Sequence, residues 1–481
     1  MAVPWFNLRP PEPQMTTFTR PNILFINTDQ QRWDTLGCTG CAVAKTPNLD
    51  RLAAEGVRFD ACYTTNPVCM PARASFFTGQ YPSHHGVWMN GVPLDPRSDL
   101  IQHRLKEAGY RTALIGKIHL DTIWQRRDPH PAYGFEVLHE CEGDPFCFDE
   151  YFRWLDDQDL YEPYMERFKA MGHNRGYTRD LPEEKHMNNW IADHVEAYLD
   201  ERAREEEPFF LSVGFFDPHH PFDTVEPYAS MFRPEDMPDP KRAEGEADTM
   251  PPTARARLNP HCDDRDAMRR TIAAYHASIA HVDAMTGRIL DALNRAGLAE
   301  NTVIVFTSDH GEMLGDHGLL HKGPLFYEPA VRVPMIWRLP DSIRRPAVDT
   351  GFVSHVDIVP TMAALAGIDP PPFTQGRPLF DAEGTPRPTP AREAALVEWR
   401  ERKYGEEGPF QVARCLVTDA YKYVYRHGEP YGELYDRQAD PDEFENLHDR
   451  PEYAQTVKEM KARLLAFVLD NEPTPARRDI F

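Results

Sequence analysis

Asn301-Thr302-Val303-Ile304-Val305-Phe306-Thr307, running straight into Ser308-Asp309-His310-Gly311-Glu312, is the clearest buried strand in the chain. A short, continuous apolar run of this kind predicts a strand covered on both faces, as in a largely parallel sheet between layers of helices. It releases Asp309 and His310 at its carboxyl end, where open α/β sheets collect their ligands. Three other runs repeat the arrangement. Pro21 to Thr28 ends in Asp29-Gln30, Tyr110 to Ile115 in Gly116-Lys117-Ile118-His119, and Pro208 to Gly214 in a segment holding Asp217, His219 and His220. Core histidines and surface aspartates have no reason to fall just after buried strands, so the four together predict one α/β domain with one site along that edge.

Outward from these strands, helical signals cover Thr46 to Gly56, Leu100 to Ala108, His186 to Glu206, Asp266 to Ala296 and Asp357 to Ala366, and Val333 to Trp337 reads as a further strand. The stretch from Asp121 to Glu183 has many aromatic and charged residues with weak periodicity and reads as long excursions over the active face. Seven prolines between Pro370 and Pro390 mark the end of the core. Beyond them, short strands at Ala395 to Trp399, Gln411 to Thr418 and Tyr421 to Tyr425, with a helix from Glu452 to Leu469, predict a smaller antiparallel sheet with one covering helix. The expected organisation is an arm at 1–20, a catalytic α/β domain at 21–385 and a smaller α+β unit with a tail at 386–481.

The 481 residues carry 53 Lys and Arg against 76 Asp and Glu, a formal charge of -23. A general field of that sign argues against nucleic acid or an anionic membrane as partner, while leaving room for a small anion in a locally basic cleft. No run approaches a membrane span, and the first 20 residues hold four prolines and no apolar core of a leader, so a cytoplasmic chain is expected. The extended, poorly self-packing arm and tail suggest contacts in a homo-oligomer. Eight cysteines are too sparse for a disulfide framework, and the Cys38/Cys41 pair has no second pair to complete a zinc site.

Asp29, Asp309 and His310 are candidate metal ligands, with Gln30 either a fourth ligand or a group orienting Asp29. Two carboxylates with one imidazole favour Mn2+, with Ca2+ next and Mg2+ or Fe2+ open. Lys117, His119, His219 and Lys322 supply the cations and donors that a tetrahedral oxyanion needs. If the 117–119 segment is extended, Lys117 and His119 point the same way. In Asn66-Pro67-Val68-Cys69-Met70-Pro71-Ala72-Arg73 a soft nucleophile stands at the head of a predicted helix, with Arg73 one turn on, on the same face. Cys69 there reads as a low-pKa thiolate, a site of modification or a buried structural cysteine.

The run Cys69-Met70-Pro71-Ala72-Arg73, with Gly79 after it, resembles the sulfatase signature C-x-P-x-R, in which the cysteine is oxidised to formylglycine. Gly116-Lys117-Ile118-His119, Pro218-His219-His220-Pro221-Phe222, Ser308-Asp309-His310-Gly311-Glu312, Gly318-Leu319-Leu320-His321-Lys322 and Glu433-Leu434-Tyr435-Asp436 extend the resemblance over residues 20 to 460. It implies an alkaline-phosphatase-like fold, one divalent metal on Asp29, Asp309, His310 and modified Cys69, and a partner machinery that makes the formylglycine. Lys117, His119, His219 and Lys322 would surround the transferred group, and Arg73 would support the nucleophile. The implied reaction is hydrolysis of a small anionic sulfate ester through a covalent adduct of the aldehyde hydrate. Gln30 and His310, where many arylsulfatases have Asp and Asn, instead resemble choline sulfatases and phosphonate monoester hydrolases. Hydrolysis of a phosphonate monoester or phosphodiester is therefore the alternative.

Overall fold

Ile23 and Phe25 lie in one hydrophobic cluster and Leu24 and Ile26 in another, so the first strand packs a core on each of its faces. The computed structural model describes residues 20–122, 130–171, 177–178, 181–343, 345–381, 384–385, 392–401 and 410–472. The expected N-terminal arm, apart from residue 20, and the tail after 472 lie outside the described residues.

The main sheet comprises β1 (Asn22–Thr28), β2 (Val57–Tyr63), β3 (Arg111–Gly116), β4 (Val137–Glu140), β5 (Phe209–Gly214), β6 (Thr302–Ser308), β7 (Met335–Arg338) and β8 (Ala347–Ser354), in spatial order β8-β2-β7-β6-β1-β5-β3-β4. Every neighbouring pair is parallel except the two made by β7. The carboxyl ends of β1, β3, β5 and β6 therefore face one edge. Seven helices concern the site and its supports: α1 (Pro47–Glu55), α2 (Cys69–Thr78), α3 (Ile101–Glu107), α4 (Met187–Arg202), α5 (Arg265–Arg295), α6 (Ile358–Ala366) and α7 (Ala454–Asp470). Apolar residues of α2, α3 and α6 fill one side of the sheet, and those of α1, α4 and α5 the other. None of the described helices is long and apolar enough to cross a membrane.

A second, antiparallel sheet runs β9 (Ala395–Glu401), β10 (Gln411–Val417), β11 (Tyr421–Arg426) and β12 (Glu433–Asp436) in chain order. Leu396, Leu416, Tyr423 and Leu434 on one face meet Met460 and Leu464 of α7. Ala395, Val397, Cys415 and Val424 on the other pack with Tyr327, Val331 and Phe352 of the main body. The expected architecture, a large mostly parallel sheet flanked by helices with a smaller antiparallel sheet and helix, is the one observed.

The structure adds strands that were not assigned and corrects one reading. β2, β4 and β8 were not assigned from sequence: β2 alternates Val57 and Phe59 with Arg58 and Asp60, which pair at 2.6 Å on its half-buried side, while the first half of β8 is largely exposed. The stretch after Asp121 is not only loop. It builds β4 and helices at Glu150–Asp156 and Tyr161–Met171, and Tyr151, Phe152 and Leu155 are buried in the same core as Trp190 of α4. Much of the aromatic content of its described residues is core packing, although Phe146 and Phe148 are exposed.

Candidate active site

The site assembles because β1, β3, β5 and β6 end side by side. Asp29 follows β1, Lys117 and His119 follow β3, His219 follows β5, and Asp309 and His310 follow β6. From the other side α2 points its first turn at them. All ten α2 residues are buried, with Cys69 first; Asn90 Oδ1 accepts the Met70 amide at 3.0 Å, so the first turn brings its side chains, Cys69 foremost, rather than free amides to the site. One ligand atom each of Asp29, Cys69, Asp309 and His310 lies within 4.8 Å of the others. Cys69 Sγ is 3.3 Å from His310 Nε2 and 3.6 Å from Asp29 Oδ1, and it accepts a hydrogen bond from Lys322 Nζ at 2.9 Å.

Opposite charges meet with little exposure: Asp29, Asp309 and Lys117 are buried, and Lys322 is 12% exposed. Lys117 Nζ donates to Asp29 Oδ2 at 2.5 Å, and Lys322 Nζ lies 3.7 Å from Oδ1. Burial pushes the Asp29 carboxyl up, but Lys117, Lys322, His219 and Arg73 outweigh it and hold the group well below the usual carboxylate range. Burial likewise lowers Lys117, and Asp29 more than reverses this. For Cys69, burial and Asp29 raise the thiol while Lys322, His310 and Lys117 prevail, leaving it lower than an ordinary thiol. Burial, with Lys117 and Arg73 beside His119 and Lys322 beside His219, drives both imidazoles well below their usual range. Both are biased toward the neutral imidazole until an anion enters beside them.

The donor set fits a divalent cation. His310 Nδ1 bonds the Gly311 carbonyl at 2.9 Å, which leaves the Nε2 lone pair facing the carboxylates. Gln30 Oε1 is buried without a hydrogen-bond partner, while its Nε2 donates to Glu312 and lies 3.2 Å from His220 Nδ1. Gln30 holds φ 67° and His119 φ 49°, left-handed conformations that non-glycine residues adopt only when their surroundings impose them.

Every residue singled out in the sequence lies at this edge, with two changes of detail. The 117–119 segment is not extended: the turn at His119 is fixed by Glu142, whose Oε1 accepts the Ile118 and His119 amides at 3.2 and 3.0 Å. Arg73 does not bond residue 69. Its Nε donates to Asp309 Oδ2 at 2.8 Å, and its Nη1 to Asn27 Oδ1 at 2.9 Å and the Lys117 carbonyl at 3.1 Å. His219, His220 and His321 lie ring against ring, with centroids 4.0 and 4.2 Å apart. His85 faces Ser75, 3.2 Å away, behind α2. Asn27, Glu142 and Glu312 were not assigned roles from sequence. Glu142 follows β4, the strand without a signal, whereas Asn27 and Glu312 sit inside stretches already read as strand end and motif.

The sulfatase family profile matches residues 21–368, and that of the N-sulphoglucosamine sulphohydrolase C-terminal region matches residues 315–469. An uncharacterised sulfatase, YidJ, of Escherichia coli K12 is 34% identical over 459 residues, 93% of this chain and 87% of that one. An arylsulfatase of Clostridium perfringens is 30% identical, covering 93% and 94%. The crystal structure of a phosphonate monoester hydrolase of Agrobacterium radiobacter superposes with a TM-score of 0.80 at 28% identity, covering 94% and 96%. The cluster of buried carboxylates, imidazole and thiol is thus that of a metal-binding hydrolase, and the chain belongs to the sulfatase family of the alkaline-phosphatase-like fold.

Proposed function

We propose that the protein hydrolyses sulfate esters, using formylglycine made from Cys69. The observation that carries this reading is the place of Cys69 Sγ, at the head of a buried helix, 2.9 Å from Lys322 Nζ and 3.3 Å from His310 Nε2. That is where the oxygen replacing sulfur would stand. Asp29, Asp309, His310 and residue 69 would hold one divalent ion, Mn2+ before Ca2+, with Gln30 Oε1 as a further donor. The ion would supply positive charge to the ester oxygens. Lys117 and Lys322 bind the remaining oxygens of the sulfuryl group and hold it against residue 69. One hydroxyl of the hydrated aldehyde attacks sulfur, and His219, taking up a proton as the anionic ester binds, hands it from the imidazolium to the leaving alkoxide or phenolate. His119 then takes the proton of the second hydroxyl, so that sulfate leaves by C–O cleavage and the aldehyde is restored. Arg73, braced on Asp309, positions rather than reacts.

The second reading is a phosphonate monoester or phosphodiester hydrolase with the same nucleophile. Gln30 and His310, together with the likeness to the Agrobacterium radiobacter enzyme, favour it. Maturation by a formylglycine-generating partner, a cytoplasmic location, a homo-oligomeric state and a domain boundary near residue 385 belong to the same proposal.

The test pairs the mass of the tryptic peptide containing Cys69 with initial rates on an aryl sulfate and a phosphonate monoester. A mass about 18 Da below the cysteine form is expected, with the sulfate ester turned over faster. A reversed rate ratio selects the second reading, and an unshifted mass with full activity overturns the nucleophile. Cys69→Ala is expected to lose nearly all turnover, measured on the same substrates.

A further inference from the structure

We propose a second metal site, outside the candidate active site and sharing no residue with it, made by His139, Glu150 and His194 and suited to Zn2+. The three come from different elements: His139 from edge strand β4, Glu150 from the first turn of the 150–156 helix, and His194 from the middle of α4. Their ligand atoms lie within 4.8 Å of one another. His139 Nδ1 is 2.9 Å from Glu150 Oε1, a separation that two ligands of one tetrahedral ion can keep. The His139 and His194 rings lie 4.7 Å apart.

What surrounds the three groups prepares them as ligands. His194 Nδ1 bonds the Trp190 carbonyl at 2.8 Å, which puts the ring proton there and leaves Nε2 with its lone pair. The far oxygen of Glu150, Oε2, accepts the Glu140 amide at 3.2 Å, which fixes the carboxylate and leaves Oε1 toward the histidines. Packing of His194 on Trp190, with centroids 4.0 Å apart, holds the second imidazole in place. His139 and Glu150 are each a little over one-third exposed, so an ion can enter, and a water can complete a tetrahedral shell of two nitrogens and one carboxylate.

A second histidine cluster, deeper in the molecule, differs in this respect. His186 Nδ1 accepts the Asn188 amide at 3.2 Å, so its proton sits on Nε2, toward Asp217, and Asn188 Nδ2 also donates to that carboxylate at 2.8 Å. His186 Nε2 stands 3.9 Å from Asp217, and the third member, His281, is engaged through Nε2 with Asn189 Oδ1 at 2.7 Å. The outer cluster is reached by solvent, and a metal entering it would displace the proton that His139 Nδ1 shares with Glu150 Oε1.

An ion there would tie β4 to α4 and to the 150–156 helix. The loop between β4 and that helix carries Glu142, which fixes the turn at His119, so the ion would brace the active site from outside.

The test uses the full chain, stripped with chelator, re-equilibrated with Zn2+ and freed of excess metal, with zinc per chain measured by mass spectrometry. Asp309→Asn serves as background to remove the candidate active-site ion. The expected result is one zinc per chain in Asp309→Asn, and loss of that zinc, or at least tenfold weaker binding, on adding His194→Gln or Glu150→Gln. Circular dichroism identifies a variant that has lost its fold. Should both do so, Co2+ added to Asp309→Asn alone decides the matter: a visible absorption band of a four-coordinate nitrogen-ligated ion supports the site, and its absence overturns it. Zinc content unaffected by His194→Gln and Glu150→Gln also overturns it. None of these readouts depends on turnover, so failure of this site and failure of the proposed function are separable.

Discussion

At the scale of the residue, Arg73 shows what sequence can and cannot reveal. Its place in C-x-P-x-R and its helical phase toward the site were legible, since spacing alone puts residues 69 and 73 on one face. Its partners were not, because Asp309, Asn27 and the Lys117 carbonyl come from three strands that meet only in the fold. A guanidinium reaches all three from one plane, whereas an ammonium at that depth satisfies one or two. Arg73→Lys is therefore expected to leave Asn27 or the Lys117 carbonyl unpaired and to destabilise the fold by about 2 kcal/mol. It should lower kcat by at least tenfold while changing KM little, since Arg73 orders Asp309 rather than gripping substrate. Urea unfolding and steady-state rates on an aryl sulfate check both. A rise in KM at constant kcat would show that Arg73 meets the substrate directly.

At the scale of the element, strands buried on both faces were read within a residue or two, because a continuous apolar run has few other uses. β4 and β8 are hard to read for the opposite reason, since each is short or exposed on part of its length, so hydrophobic pattern carries little information there; β2, by contrast, alternates Val57 and Phe59 with Arg58 and Asp60, and its strand was legible though not assigned. The strand β11 raises a separate question of how the second sheet is fastened. Its Lys422 is fully buried, paired with Glu328 at 2.7 Å and Glu443 at 2.5 Å and donating to the Phe326 carbonyl at 2.9 Å. Glu328 and Phe326 lie in the segment just after Lys322, so the second sheet anchors the loop that brings that lysine to Cys69. Replacing the cation leaves two carboxylates facing each other without it. Lys422→Met is expected to cost about 3 kcal/mol or more, with Lys422→Met/Glu443→Gln recovering part of the loss. Thermal melts of the two variants measure this, and equal melting of both would show that repulsion with Glu443 is not the cause.

At the scale of the whole molecule, buried histidines away from the site set how stability responds to acid. Burial pushes His85 down to about 3, His281 to about 3 and His276 to about 4. In the unfolded chain each binds a proton as pH falls below about 6.5; in the fold each stays neutral to a much lower pH. Their contribution is therefore complete above about 6.5 and is lost as pH falls, at about 1.4 kcal/mol per pH unit for each group. Asp149 works in the other direction. Burial raises it to about 8, so its contribution is complete in acid and is lost as pH climbs from the ordinary carboxylate range toward 8. Since the two signs partly cancel in the intact chain, a difference between variants reads one group cleanly. His276 is the suitable choice: its ring lies over Phe232, with centroids 5.9 Å apart, its Nδ1 is buried without a partner, and Asp34 and Arg32 nearby pull its pKa in opposite directions. His276→Phe keeps the ring and removes the titration. Urea unfolding of the two chains between pH 7 and 5 is expected to show the variant gaining on the parent by about 1.4 kcal/mol per pH unit once below 6.5, with a constant difference above it. A difference that stays flat across the whole range would mean that His276 already carries its proton in the fold.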